Sequence, residues 1–310
     1  MIAWIDCRQR PSYLGFPVRL ELSDVALVCC DTRDANRSLA SIHRSLKLAK
    51  FGDCILVTSE PAMQEVSKDL EISREIRTIL IDPFQGISDY SRYILTDVLT
   101  LSESPFFLIA QWDSWILSAS SWSDQFLNYD YVGAVWPHHP TQRVGNGGFS
   151  LRSRHLMQVS ATLAAEAGKG SWEVEDNFVC RHMRPTLESS YGCKFAPESV
   201  ANQFSAERTG WDGQPFGFHG LLNFGRVFDS QSLFNELEQL QSHYFGDRHS
   251  VDLAQYLLTK GRIHEARYVI GRRIDFAGLT TKNLKLLLAW FFRALMAPKT
   301  FFRHGCKSNN

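Results

Sequence analysis

Short apolar runs alternate with longer amphipathic segments from residue 25 onward. The runs have the length of buried strands, and they are residues 25–30, 54–58, 78–81, 106–110 and 131–136. Residues 39–49 carry apolar side chains at helical spacing, with Gly52 as the expected end of that helix, and residues 90–101 form a second predicted helix. Such alternation is typical of an α/β fold with a mostly parallel sheet flanked by helices.

The pattern changes beyond about residue 230, where helical periodicity replaces the strand-like runs. Residues 250–275 read as two helices joined by a turn at 260–262. One helical hairpin lacks the neighbours that a solenoid repeat needs, so it is interpreted as a packing appendage. We expect one domain over 1–245 and a C-terminal helical extension over 246–310.

The composition argues against several classes of protein. The 33 basic and 33 acidic residues give a formal charge of zero, which argues against a nucleic-acid-binding protein. The seven cysteines form no CxxC pair, so zinc-ribbon, thioredoxin-like and disulfide-framework interpretations lose support. No window reaches the length of an apolar membrane span. A cytoplasmic location is therefore expected.

The first candidate residue follows the apolar run 106–110, which ends in Gln111-Trp112-Asp113. Open α/β sheets bind their ligands at the carboxyl ends of such inner strands. A carboxylate at that edge can coordinate Mg²⁺ or Mn²⁺. Alternatively, Asp113 caps a helix that starts after the strand.

A glycine-rich segment at Asn146, Gly147 and Gly148 allows the backbone to approach a ligand closely. A hairpin turn or bulge is the alternative interpretation. The segment lacks the Lys and Ser or Thr of a P-loop, and no GxGxxG opens a helix early in the chain. ATPase and dinucleotide-binding functions are therefore weakly supported.

Four further residues carry candidate chemistry. The adjacent carboxylates Glu175 and Asp176 begin a predicted helix, where they either serve an acid–base role or simply complement the helix dipole. His219 lies between aromatic and glycine residues. It is either a ligand for Mn²⁺ or phosphate or an ordinary hydrogen-bonded loop residue. Arg92 either reaches a diphosphate or stays solvated on its helix.

Together these segments resemble a family of uncharacterised bacterial proteins that is similar to GT-A-fold glycosyltransferases. The resemblance spans residues 25–225. Its motifs include Gln-Trp-Asp-Ser-Trp at 111–115, Phe-Leu-Asn-Tyr-Asp-Tyr-Val-Gly-Ala-Val-Trp at 126–136, Gly-Asn-Gly-Gly-Phe-Ser-Leu-Arg-Ser at 145–153, Glu-Asp at 175–176 and Pro-Phe-Gly-Phe-His-Gly at 215–220.

The resemblance implies a GT-A-like fold and glycosyl transfer from a nucleotide sugar. In GT-A enzymes an Asp-x-Asp motif and a later His hold a divalent ion on the donor diphosphate. By position, Asp113 looks like the second Asp and His219 like the later ligand, for Mn²⁺ or Mg²⁺. Gln111 replaces the first Asp, a departure that bears on metal dependence.

The same resemblance implies roles for the other candidates. Asp176 is the first choice for the catalytic base and Glu175 the second, as in some inverting enzymes. The nucleotide is expected beside Asp31, Thr32 and Arg33. The donor-binding set is completed by residues already introduced, which are Arg92, Gln111, Asp113, Asn146, Gly147 and Gly148.

Two functional hypotheses follow. The first is a cytoplasmic glycosyltransferase that moves a sugar onto a glycan or lipid-linked acceptor in surface polysaccharide biosynthesis. The alternative is a non-catalytic nucleotide-sugar or carbohydrate-binding module on the same fold. Residues 281–310 form a basic amphipathic segment. A further hypothesis is therefore that this segment contacts the inner face of a membrane. The alternative is a helix that packs on the domain and is followed by a solvated tail.

Overall fold

The computed structural model describes residues 19–68, 70, 72–168, 174–211 and 213–296. The strands within these ranges are β1 (Leu20–Cys30), β2 (Ala49–Thr58), β3 (Arg77–Leu80), β4 (Phe106–Ala110), β5 (Ser114–Ile116), β6 (Tyr131–Val132), β7 (Phe149–Ser153), β8 (Ser205–Ala206) and β9 (Gly217–His219). The helices are α1 (Ala35–Leu46), α2 (Glu60–Gln64), α3 (Ile87–Thr96), α4 (Arg154–Ala167), α5 (Glu175–Asn177), α6 (Arg184–Tyr191), α7 (Glu198–Phe204), α8 (Phe224–Val227), α9 (Ser230–Glu238), α10 (Arg248–Thr259), α11 (Ile263–Ala277) and α12 (Thr281–Met296).

A six-stranded sheet with the order β3-β2-β1-β4-β7-β6 forms the centre of the fold. The first four strands in this order run parallel, whereas β7 is antiparallel to β4 and β6 is antiparallel to β7. The predicted α/β class with a mostly parallel sheet flanked by helices is confirmed. A second, three-stranded sheet has the order β5-β9-β8.

Both faces of the large sheet are covered, which explains the unbroken apolar runs of its inner strands. Leu27 faces a buried cluster that includes Leu39 and Ile42 of α1. Val28, its neighbour in β1, faces the opposite cluster with Ile94 of α3. The carboxyl ends of β1 and β4 are consequently held side by side.

The boundary between α1 and β2 differs from the prediction. The helix ends at Leu46, and Gly52 lies inside β2 rather than after a helix. A Cβ at position 52 would lie 2.0 Å from the carbonyl oxygen of Ser23, where the register between β1 and β2 shifts. Close approach of the two backbones therefore requires this glycine.

Two other predicted elements are shorter in the structure. The helix expected over 90–101 ends at Thr96 as α3 and continues as a 3₁₀ turn over Val98–Leu101. The strand expected over 131–136 pairs only at Tyr131 and Val132, with an isolated bridge between Val135 and Val144 beyond it.

The C-terminal part is helical, and the predicted hairpin is present as α10 and α11. One buried cluster contains Trp115 and Phe218 together with Leu253 and Val269. A hydrophobic cluster therefore extends across position 245, and a domain boundary there stays a prediction. None of the described helices is long and apolar enough to cross a bilayer.

We expect Gly52→Ala to lower the free energy of unfolding by about 1–3 kcal/mol, because the added methyl group forces β1 and β2 apart. Gly271→Ala is the matched control, since no atom lies within 4 Å of a Cβ built there within α11. That change should stabilise the protein by up to about 1 kcal/mol. Urea unfolding measures the free energy of unfolding of both variants. Equal stability of the two would contradict the conclusion that the close approach of β1 and β2 requires Gly52.

Candidate active site

A cavity of about 380 Å³ opens at the carboxyl ends of β1 and β4. It is lined by the loop after β1, the turn after β4 and the end of β9. The structure therefore brings together six of the residues singled out in the sequence, which are Asp31, Thr32, Arg33, Gln111, Asp113 and His219.

Asp113 lies in the turn between β4 and β5, so no helix follows it and the helix-capping alternative does not apply. The antiparallel pairing of β5 with β9 sets Ser114 opposite His219. This register brings the Asp113 Oδ1 atom to 3.4 Å from the His219 Nε2 atom. Both side chains are buried.

Each ring nitrogen of His219 meets an amide side chain. The Nε2 atom lies 3.0 Å from the side-chain oxygen of Gln111, and the Nδ1 atom lies 3.0 Å from the side-chain nitrogen of Asn146. Gln111 in turn donates a hydrogen bond to the hydroxyl of Tyr90 at 2.9 Å. His219 is thus held in one orientation by its neighbours.

His219 carries a positive charge in this environment. Burial opposes the charged form, but the carboxylates of Asp113 and Glu207 outweigh that penalty and raise the pKa of His219 to about 9. A protonated Nδ1 donates a hydrogen bond and needs an acceptor. Rotating the Asn146 amide by half a turn supplies one, and it pairs the Asn146 oxygen, which is otherwise buried without a partner.

The glycine-rich segment packs directly against these side chains. A Cβ at Gly148 would lie 2.3 Å from His219 Nε2, and one at Gly147 would lie 2.0 Å from a carboxylate oxygen of Glu175. Asn146 adopts a φ of 65°, in the left-handed region that Asn tolerates better than most residues. The glycines are therefore required by close approach of the backbone to the site.

The two adjacent carboxylates differ in environment. Glu175 forms a buried, bidentate ion pair with Arg152 at 2.8 and 3.0 Å. Asp176 accepts a hydrogen bond from the amide of Gly147 at 3.1 Å. Burial, with Glu175 nearby, raises the pKa of Asp176 to about 6, in the range that suits a proton acceptor near neutral pH.

The structure does not bring every predicted residue to the cavity lining. Arg92 forms an exposed ion pair with Asp97 at 2.9 Å, near the carboxyl end of α3. Thr32 lines the cavity, but its hydroxyl accepts a hydrogen bond from the amide of Phe84, which fixes the loop after β1. Asp176 lies beside the cavity, behind the glycine segment.

The side chains do not form a preformed metal site. Across the described ranges, no group of three or more His, Cys, Asp or Glu residues is placed to hold a metal ion. Asp113 Oδ1 is buried without a hydrogen-bond partner and offers one ligand atom. Both nitrogens of His219 are engaged, so this ring would have to break contacts to bind a metal.

Part of the cavity wall consists of residues that were not predicted as site residues from the sequence. His243, Tyr244, Asp247 and His249 line the cavity from the segment that leads into α10. The Tyr244 ring lies 4.3 Å from that of Trp112, centroid to centroid. The cluster of aromatic and polar residues at 243–249, where helical periodicity is interrupted, was the available signal.

Comparison with known proteins gives a family match over part of the chain. Residues 73–219 match the model of DUF5672, a protein family of unknown function. The matched region ends at His219, so the cavity wall at 243–249 lies outside it. No curated protein matches the chain.

Several solved structures are similar to this chain at low identity. They include the apo form of the glycosyltransferase GlyE from Streptococcus pneumoniae TIGR4, with a TM-score of 0.42 and 12% identity, covering 76% of this chain and 63% of that one. The mannosyltransferase PcManGT from Pyrobaculum calidifontis, in complex with GDP-Man and Mn²⁺, has a TM-score of 0.38 and 10% identity over 89% and 76%. Mouse xyloside xylosyltransferase 1 has a TM-score of 0.40 and 14% identity over 66% and 98%. This chain thus spans less than two thirds of the GlyE chain.

The raised pKa of His219 predicts a pH-dependent stability. Because its folded pKa of about 9 exceeds the ordinary 6.5, its contribution is complete below pH 6.5 and is lost as the pH rises through 9. The free energy of unfolding should fall by about 3 kcal/mol across this window. Urea unfolding in this pH range and NMR titration of the imidazole measure the effect.

Asp113→Asn should lower the His219 titration midpoint and flatten the pH dependence, because it removes the nearest carboxylate. His139→Gln is the control, since burial and Arg181 lower the pKa of His139. This substitution should leave the pH dependence of the free energy of unfolding above pH 6.5 unchanged. If the imidazole of His219 in the wild-type protein titrates with a midpoint below pH 6.5, the ring is neutral at neutral pH and the predicted positive charge is wrong.

Proposed function

We propose that this chain is a nucleotide-sugar-dependent glycosyltransferase that acts in the cytoplasm on a glycan or lipid-linked acceptor, in surface polysaccharide biosynthesis. The observation that carries the proposal is the cavity at the carboxyl ends of β1 and β4, where a buried imidazolium meets carboxylates and aromatic rings. The motif resemblance of residues 111–115, 145–153 and 215–220 to glycosyltransferase-like proteins supports it.

The cavity has the groups that a nucleoside diphosphate sugar requires. The exposed guanidinium of Arg33 lines it and can bind a phosphate oxygen, while the His219 imidazolium, whose two nitrogens are engaged by Gln111 and Asn146, adds positive charge to the same wall. Asp31 offers a carboxylate for sugar hydroxyls, and burial raises its pKa to about 6. The rings of Trp112 and Tyr244, tilted by 44° to each other, provide aromatic surface for a sugar or base.

In the proposed reaction, the acceptor hydroxyl attacks the anomeric carbon of the donor sugar. Asp176 takes the hydroxyl proton as the new carbon–oxygen bond forms. The bond from the anomeric carbon to the diphosphate breaks, and the diphosphate leaves with its electron pair. Positive charge at His219 and Arg33 stabilises the leaving group. Glu175, paired with Arg152, positions the adjacent Asp176.

A divalent ion, Mn²⁺ or Mg²⁺, would neutralise charge on the diphosphate when bound. Asp113 would hold it through a carboxylate oxygen that otherwise faces His219, and Gln111 occupies the place of a second acidic ligand. Because the side chains do not form a preformed site, we expect such an ion to enter with the donor rather than before it.

The alternative function is a binding module without turnover, and one observation favours it. Gln111, which replaces an acidic residue, accepts a hydrogen bond from His219 and donates one to Tyr90. Both ends of the amide are thus engaged within the protein. A module of this kind would bind nucleotide sugars in the same cavity but release no product.

Donor binding is tested by calorimetry and thermal shift with UDP- and GDP-sugars. We expect Arg33→Gln to weaken binding by about 10- to 100-fold, because it removes a charge-assisted contact to phosphate. Arg74→Gln, an exposed arginine that does not line the cavity, should leave affinity unchanged. Mn²⁺ alone should not raise the Tm, whereas nucleotide sugar should. Equal affinity for both variants, or no binding, would overturn the donor site.

Turnover is tested by incubating donors with glycan and lipid-linked acceptors and measuring release of the nucleoside diphosphate. We expect Asp176→Asn to lower kcat by about 100- to 10,000-fold while donor affinity is retained, because only the proton acceptor is lost. Asp24→Asn, an exposed carboxylate in β1, is the control. Full activity of Asp176→Asn would reject its role. Tight binding by the wild-type protein without any product would favour the binding module.

A further inference from the structure

The last described helix, α12, exposes a continuous apolar stripe. Leu284, Leu288, Phe291 and Leu295 recur at the spacing of one helix face. They are between 47% and 67% exposed, and the adjacent Phe292 is 59% exposed. Scattered surface apolar residues are ordinary, but a contiguous row of large ones marks an interaction surface.

The opposite face of α12 is anchored, so the direction of the stripe is fixed by packing. Asn283 is fully buried, where its side-chain oxygen accepts a hydrogen bond from Arg273 at 3.0 Å and its nitrogen donates to Gly278 at 2.8 Å. Leu286 is buried in the adjoining cluster. The indole of Trp290 donates a hydrogen bond to the Ile263 carbonyl at 3.1 Å.

The exposed charged side chains of α12 are all basic. Lys282, Lys285 and Arg293 are all exposed on α12. At about 100° per residue, Lys285 lies beside Phe292 at the edge of the stripe, whereas Lys282 and Arg293 lie near the anchored face. The sequence 281–310 contains no acidic residue, and its further cations are Lys299, Arg303 and Lys307.

We propose that this face of α12 docks on the surface of an anionic lipid bilayer. Exposed leucine and phenylalanine side chains would enter the boundary between headgroups and acyl chains, and the flanking cations would contact lipid phosphates. With 16 residues, α12 lies along the surface rather than across it.

Charge complementarity favours a lipid bilayer over the other possible partners of this face, which are a second copy of the chain and residues 297–310. A second copy of the chain would bring another basic segment against the first, so cations would face cations without acidic partners. Residues 297–310 of the same chain are also basic, and they would add like charge beside Lys282 and Lys285. Only an anionic surface complements both features. The proposal goes beyond glycosyl transfer and does not depend on it.

The test is flotation of the full-length protein with vesicles of phosphatidylcholine alone or mixed with phosphatidylglycerol. The wild-type protein should bind the mixed vesicles and float poorly with pure phosphatidylcholine. Leu288→Gln combined with Phe291→Gln should weaken binding at least about tenfold, and so should Lys282→Gln combined with Lys285→Gln. These side chains are exposed, so the fold should be kept.

Matched controls change the same residue types elsewhere on the surface. Ile72→Gln with Leu80→Gln replaces two exposed apolar residues, and Lys47→Gln with Lys50→Gln replaces two exposed lysines. Both controls should bind mixed vesicles like the wild-type protein. Absence of wild-type binding, or equal binding by all variants, would overturn the proposal. A dimer abolished by the α12 substitutions, seen by sedimentation without vesicle binding, would assign the face to a second copy instead.

Discussion

The arrangement of the site depends on a positive charge buried at the end of β9. An imidazolium at His219 is stable there only because Asp113 lies beside it and because Gln111 and Asn146 engage its two nitrogens. Gln111 and Asp113 come from the turn after β4, whereas Asn146 comes from the glycine-rich segment before β7. The loop geometry at the carboxyl edge of the sheet is therefore constrained by the need to compensate one ionised group.

The same constraint explains why the glycine-rich segment has its composition. Side chains at Gly147 and Gly148 would occupy the positions of Glu175 and His219 oxygens and nitrogens. The segment thus brings two charged clusters together, the buried pair of Arg152 with Glu175 and the pair of Asp113 with His219. Asp176 accepts a hydrogen bond from this segment at Gly147, and its pKa is raised by burial and by the charge of Glu175.

Periodicity was sufficient to predict the four parallel strands β1 to β4 and the helical hairpin, because buried parallel strands and amphipathic helices leave local patterns, but it did not predict β7 or the small second sheet. It failed at Gly52, where the reason for a glycine is the backbone of Ser23 in another strand. The position of Asp113 followed from the rule that ligands bind at strand ends, whereas that of Asp31 was implied by the family resemblance. By contrast, the wall formed by Tyr244 and His249 depends on how the C-terminal helices pack back on the sheet, and the interrupted periodicity at 243–249 marks an irregular segment without showing where it lies.

The pairing of β5 with β9 also has a consequence for how the molecule folds. It joins Ser114 to His219, residues separated by more than one hundred positions, through only three residue pairs. Closing so long a loop for so few contacts is entropically expensive, so this small sheet should form after the larger one. The ligand cavity would then be assembled last, and early folding intermediates would keep the histidine hydrated and neutral above its ordinary pKa.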